Sequence, residues 1–143
     1  MVTGFALTLS TPAAASATRP LTISLTFDDG SADQMAAQRL LKKHGLVGTF
    51  YINSSFIGSQ GVMTRADLET LRANGNEIGG HSFNHPSLIS LSAAEANRQI
   101  CTDRNTLLSW GFQVTSFAYP FSDFDPSVKS TVQTCGYNTA RAV

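Results

Sequence analysis

The residues with the clearest capacity for chemistry are two adjacent aspartates, Asp28 and Asp29, and two histidines four positions apart, His81 and His85. One carboxylate and two imidazoles are a set of three protein ligands that a catalytic zinc site can use, with a fourth position left open for water. A second carboxylate beside them can serve as a general base for that water. The pattern therefore predicts a metal-dependent hydrolase.

The same residues also allow a purely local interpretation. An Asp-Asp-Gly sequence favours a turn, so Asp28 and Asp29 could simply form a turn or precede a helix. However, adjacent carboxylates repel each other, and a divalent cation would remove that conflict. His81 and His85 face the same way if their segment forms a helical turn, which Pro86 would end. We predict Asp29, His81 and His85 as ligands of zinc, or of cobalt or nickel, with Asp28 as the base.

Strand-like runs alternate with amphipathic helical segments along the chain. Helix starts are predicted from the pairs Ser31/Gln34, Thr64/Asp67, Ser92/Glu95 and Asp125/Pro126. Strands are predicted at 21–27, 47–52, 76–80 and 114–119, and from 137 onward. This alternation predicts a parallel β/α fold, either a barrel or an open sheet. Active sites in such folds lie at the carboxyl ends of strands, where the aspartates and His81 would meet.

Composition limits the classes of partner. The 143 residues suffice for one domain, and ten basic residues balance ten acidic ones. A nucleic-acid partner is not expected, because phosphate neutralisation supplies most of that affinity and no basic cluster is present. No apolar run is long enough to span a membrane. We expect a monomer acting on a neutral substrate.

The N-terminal segment and the cysteines indicate the compartment. Residues 1–17 carry no charge and resemble the apolar and cleavage regions of a secretory signal peptide without its basic start; a disordered tail is the alternative. Cys101 and Cys135 would then form a disulfide, although free buried thiols are also compatible with the sequence. We therefore predict a secreted or cell-envelope protein.

Three segments resemble known sequence motifs. Thr26-Phe27-Asp28-Asp29-Gly30 and His81-Ser82-x-x-His85 resemble the first two motifs of the polysaccharide deacetylases, also called NodB-homology domains or family-four carbohydrate esterases. Residues 116–121 resemble a variant of the third. The resemblance implies that residues 18–143 are one deacetylase domain with a distorted (β/α) barrel. Such a domain would remove acetyl groups from N- or O-acetylated glycans with zinc or cobalt. Chitin fragments, peptidoglycan, poly-N-acetylglucosamine and acetylxylan all fit that class.

The resemblance also implies roles by position. Asp29, His81 and His85 would bind the metal, and Asp28 would take a proton from the attacking water. From the third motif, the backbone N–H of Phe121 would help to stabilise the oxyanion. Tyr119, Pro120 and Phe121 would border the sugar site, while a plain core role is equally open for the two aromatic rings.

Two departures from the family pattern affect the expected activity. The third motif often has an arginine that orients the base, and Ala118 stands at that position, so another partner for Asp28 is needed. The fourth and fifth motifs would lie beyond Val143, and we expect a domain truncated at its C-terminus. The main alternative function is a catalytically impaired fragment or a metal-containing but inactive glycan-binding domain. A serine hydrolase using Ser82 beside His81 is a weaker one, because no nucleophile elbow is present.

Overall fold

Five parallel strands form a single sheet in sequential order in the computed structural model, which describes residues 21–142. The strands are β1 (Thr26–Phe27), β2 (Thr49–Ile52), β3 (Glu77–Gly80), β4 (Ser116–Ala118) and β5 (Thr139–Arg141). Between them run α1 (Gln34–Lys43), α2 (Arg65–Ala73), α3 (Ala93–Ser109) and α4 (Pro126–Thr134). Short 3₁₀ turns occupy Ser54–Phe56, Leu88–Ser90 and Pro120–Ser122. The predicted parallel β/α fold is confirmed as roughly half of a barrel. The predicted signal segment, 1–17, lies outside the described residues.

Three of the four predicted helix starts are confirmed by their hydrogen bonds. Thr64 and Asp67 form a reciprocal capping box at α2. The Ser92 hydroxyl accepts from the Glu95 amide at α3, and the Asp125 carboxylate accepts from the amide of Val128 at α4. These side chains satisfy backbone donors that a helix leaves unpaired in its first turn. Local sequence thus sets where the connecting helices begin.

The capping box predicted for Ser31 and Gln34 is wrong. Asp33 occupies the N-cap of α1 without a side-chain bond, and the Gln34 amide instead donates to the backbone carbonyl of Asp28. Ser31 pairs with Val62 in an isolated antiparallel bridge. Competition from this tertiary contact removes Gln34 from the cap and ties the start of α1 to the residue that follows β1.

The core lies between the central strands and the helices that cover them. Phe50 and Ile52 of β2 and Phe117 of β4 are fully buried, together with Leu68 of α2 and Ile100 of α3. The two outer strands are less buried than the central ones: Thr26 of β1 is exposed, and so are the first two residues of β5. The predicted strand over 21–27 is correspondingly reduced to its last two residues. Central burial therefore stabilises β2 to β4 more than the edges.

A disulfide links α3 to the C-terminal end of α4. Cys101 in α3 is bonded to Cys135 at the C-cap of α4, with a Cα–Cα distance of 5.1 Å. The chain enters β5 four residues after Cys135, so the bond holds the segment from which β5 starts. Within residues 21–142, no helix combines the length and apolar character needed to cross a bilayer.

Candidate active site and metal centre

The two aspartates follow β1 at the carboxyl end of the sheet. Asp29 has a φ of 69° and Gly30 a φ of 67°, so two consecutive residues adopt the left-handed conformation and turn the chain sharply. A Cβ on Gly30 would also lie 3.2 Å from Ile52 Cδ1. The turn directs the Asp29 carboxylate, 64% exposed, toward the histidines that follow β3. The turn that the Asp-Asp-Gly sequence favours is therefore present.

The two histidines are brought together by an irregular loop. Ser82 and His85 have φ values of 68° and 59°, so this segment is not a helical turn, and the histidines face the same way for another reason. The Ser82 hydroxyl accepts a hydrogen bond of 3.1 Å from the His85 amide and closes the loop. Two left-handed residues in a non-glycine segment are conformationally unfavourable, and such strain is concentrated at functional sites.

The predicted ligand atoms converge. The Nε2 atoms of His81 and His85 are 3.1 Å apart, and they lie 3.5 and 3.4 Å from Asp29 Oδ1. Zinc bonds of about 2.0–2.1 Å at tetrahedral angles would separate neighbouring ligand atoms by about 3.4 Å. The three distances match the edges of such a coordination polyhedron.

The protonation state of His81 is also compatible with a metal ligand. Its Nδ1 lies 2.8 Å from the carbonyl oxygen of Ala118, which can only accept, so Nδ1 carries the proton and Nε2 presents a lone pair to His85 and Asp29. Burial is the main influence on His81 and lowers the pKa of its imidazole, which favours the neutral, ligating form. The electron pair on His81 Nε2 therefore faces the Asp29 carboxylate and the His85 imidazole, and this set of groups can hold a divalent cation.

Asp103 of α3 supports His81 from behind and was not predicted from the sequence. Its carboxylate, fully buried, accepts from the backbone amides of Ser54 at 2.8 Å and of His81 at 3.0 Å. Burial raises the pKa of Asp103 to about 7. A side chain on Gly80 would collide with Tyr137, so glycine there lets β3 approach this cluster. The available signal was that Asp103 shares the buried face of α3 with core residues.

Arg141 of β5 was also missed. Its guanidinium Nη2 donates to Oδ1 of Asp28, and its Cζ lies 4.7 Å from the ring centroid of Tyr51. The two partners are 113 residues apart in sequence, and no local pattern connects them. Arg141 thus gives Asp28 a guanidinium partner, which Ala118 at the third-motif position cannot provide.

The third-motif residues divide into core and surface. The Tyr119 ring is buried and packs against Phe117 and Phe124, so of the two roles left open for it the structure shows the core one. Pro120 is buried as well. Phe121 has a φ of 57°, is 63% exposed, and contacts the His85 ring at 4.6 Å between centroids. Among residues 21–142, no acceptor is hydrogen-bonded to the Phe121 amide, which leaves it available for a ligand.

An open cavity of about 480 Å³ adjoins the ligand cluster. Asp29 and His85 border it, and the rest of the wall includes the apolar side chains of Phe56 and Val62 and the amides of Asn53 and Asn84. By contrast, Ser82 is fully buried and its hydroxyl is used by the loop, so it does not face this cavity. The geometry disfavours the serine-hydrolase alternative.

Comparison with known proteins places this site in a family. The family profile described as polysaccharide deacetylase matches residues 15–140. The chain is 32% identical over 114 residues to the peptidoglycan-N-acetylglucosamine deacetylase PgdA of Listeria monocytogenes, covering 77% of this chain and 23% of that protein. It is 33% identical over 131 residues to a chitin deacetylase of Pestalotiopsis, covering 87% of this chain and 42% of the relative.

The fold agrees with a solved structure. The deacetylase PplD of Streptococcus pyogenes, in complex with acetate, superposes with a TM-score of 0.77 at 22% identity, over 80% of this chain and 52% of that one. The chain spans less than half the length of the two curated relatives. The deacetylase-type fold predicted from the sequence is thereby confirmed, and the chain belongs to the polysaccharide deacetylase family.

Proposed function

We propose that this protein is a metal-dependent hydrolase that removes acetyl groups from an acetylated polysaccharide. The observation that carries the proposal is the convergence of Asp29, His81 and His85 within 4.8 Å of one another, with a second carboxylate, Asp28, directly before Asp29. Zinc suits two imidazoles and one carboxylate, and cobalt or nickel can use the same donors.

The metal, when bound, would supply a Lewis acid for the acetyl carbonyl and lower the pKa of water. Asp28 is the group that accepts the proton of the attacking water, since its carboxylate follows the same strand end and is 29% exposed. Asp29 and the two imidazoles are then used as ligands, which leaves Asp28 free for proton transfer. The chain thus separates the two carboxylates by function although they are neighbours in sequence.

Phe121 is proposed to stabilise the oxyanion through its backbone. The left-handed conformation at this residue presents an amide without an intramolecular acceptor in residues 21–142, beside His85. A fixed N–H donor near developing negative charge lowers the barrier, because it needs no reorganisation during the reaction. The exposed Phe121 ring and Phe56 offer apolar faces on which a sugar ring can pack.

The proposed substrates are N-acetylated glycans such as peptidoglycan or chitin, with O-acetylated polymers also in the class. The relatives are named as deacetylases of peptidoglycan and of chitin, and the cavity beside the ligands mixes apolar and amide groups. We further propose that the protein acts as a monomer outside the cytoplasm. The Cys101–Cys135 disulfide supports that location, because such bonds persist in oxidising compartments.

The test is acetate release from N-acetylglucosamine oligomers and from peptidoglycan. We expect release that stops after treatment with a chelator and returns when zinc or cobalt is added. Acetate release that is insensitive to chelation would contradict the proposed chemistry. Oligosaccharide binding without any acetate release would favour the inactive glycan-binding alternative.

A further inference from the structure

We propose that Arg141 is a positioning residue for the base Asp28, acting from the opposite edge of the sheet. The inference rests on the proposed function, since it concerns how the base of that reaction is oriented. It assigns a role to a residue that none of the three motif segments contains.

The contact itself is well enclosed. The Arg141 and Asp28 side chains are 25% and 29% exposed, and the guanidinium lies over the ring of Tyr51, which is buried. A planar guanidinium packed on an aromatic ring has little freedom left, and a fixed donor restricts the rotamers of the carboxylate that accepts from it. Asp28 is therefore held in one orientation by Arg141.

The pair connects the two edges of the sheet. β1 and β5 are separated by three strands, and at a spacing of about 4.8 Å a flat sheet would place them about 19 Å apart. A direct hydrogen bond between their side chains requires the sheet to curve until its edges approach each other at the carboxyl end. The orientation of Asp28 therefore depends on where β5 lies.

The register explains why β5 can supply this group. Ala118 of β4 and Arg141 of β5 are Cα partners, and laterally paired residues of parallel strands point to the same face of the sheet. Ala118 is fully buried and offers only a methyl group, so the neighbouring position provides the guanidinium. The Arg141 carbonyl also accepts from the Tyr119 amide at 3.0 Å, which fixes its backbone beside the segment that carries Phe121.

One feature distinguishes this arrangement from an ion pair that serves stability alone. The Nε atom of Arg141 is buried and has no hydrogen-bond partner within residues 21–142. An unsatisfied buried donor is unfavourable, and a partly buried ion pair is itself a weak contributor to folding. The geometry is better explained by the position that it gives to Asp28.

The experiment combines kinetics with a stability cycle. Arg141→Ala should lower kcat for acetate release by about 10–100-fold with a small change in KM, because misplacing a reacting group by about 1 Å has an effect of that size. Arg141→Lys keeps the charge and should retain more activity than Arg141→Ala. Zinc binding should be unchanged in both. Arg39→Ala, which removes an exposed arginine of α1, is the matched control and should behave as the unsubstituted protein.

The stability measurement is a double-mutant cycle and does not require the protein to be enzymatically active. Urea midpoints are measured without metal for the unsubstituted protein, Asp28→Asn, Arg141→Ala and the double variant. Coupling predicts that the two single shifts sum to more than the shift of the double variant. If the unsubstituted protein releases no acetate, the proposed function fails while this cycle still decides the pairing. Additive midpoint shifts, or an unchanged kcat in Arg141→Ala, would overturn the proposal.

Discussion

The central strands and the edge strands of the sheet contribute to the site in different ways. β2 to β4 are largely buried, and His81, which follows β3, is buried with its imidazole bonded to a backbone carbonyl and its amide bonded to Asp103. β1 and β5 are short and partly exposed, and they contribute Asp28 and Arg141 as a side-chain pair.

This difference separates two requirements of the proposed chemistry. The position of a ligand such as His81 follows from the packed core, so it is determined whenever the protein is folded. The position of the base depends on one ion pair between two strands that the core holds less firmly. Substitutions in the central strands and at His81 should therefore affect folding and metal binding, whereas substitutions in the Asp28–Arg141 pair should affect the rate.

The largest expected effect comes from removing the base. Asp28→Asn should lower the rate of acetate release by about 10²–10⁴-fold, the usual contribution of positioned proton transfer, while metal binding is kept. His81→Ala should lose both acetate release and metal binding. Measurement of acetate release beside metal content distinguishes the two variants. If Asp28→Asn lost as much metal as His81→Ala, the base and the ligand would not have the separate roles proposed here.

The next effect concerns folding of the central strands. Phe117→Ala in β4 removes a fully buried ring and should lower the free energy of unfolding by about 3–5 kcal/mol, as measured by urea denaturation. Ile23→Ala, just before β1, truncates a side chain that is 73% exposed and should change stability by less than about 0.5 kcal/mol. Similar losses from both substitutions would remove the contrast between centre and edge.

A further effect appears in the pH dependence of stability. Burial raises the pKa of Asp103 from 3.8 to about 7, so between these pH values the folded protein binds more protons than the unfolded chain. The contribution of Asp103 to stability should therefore be greatest below about pH 4 and decrease by up to about 4 kcal/mol as the pH rises through 7. Asp103→Asn should remove this slope, and Asp33→Asn, at an exposed helix cap, should keep it. A slope that persists in Asp103→Asn would assign it to other groups.

The order of elements and the proximity of Asp29, His81 and His85 could be predicted from the sequence. Strand and helix periodicities are local, and caps such as Thr64 with Asp67 use hydrogen bonds between residues three positions apart. Asp29, His81 and His85 were identifiable as a candidate metal site because carboxylate and imidazole groups are common metal ligands. The first strand was predicted too long. Leu25, for example, is exposed and accepts a hydrogen bond from the Thr49 amide, but it lies outside the regular strand.

Other features depend on tertiary structure and had no local signal. The pattern assigned Gln34 to a helix cap. Its actual contact, with the Asp28 carbonyl, joins β1 to α1, and a pattern that treats each element separately does not indicate it. The loop from Ser82 to His85 uses left-handed residues that are not glycine, which sequence patterns do not indicate. The bond between Arg141 and Asp28 depends on the curvature of the whole sheet.

The central claim, that Asp29, His81 and His85 hold one divalent ion, is tested most directly by titrating the metal-free protein with Co²⁺ and recording its visible absorption. We predict uptake of one equivalent per chain, displacement by zinc, and loss of the signal in Asp29→Ala and His85→Ala. His44→Ala, at an exposed helix end, should bind as the unsubstituted protein does. Stoichiometric uptake that survives the loss of Asp29 and His85, or no uptake at all, would contradict the account.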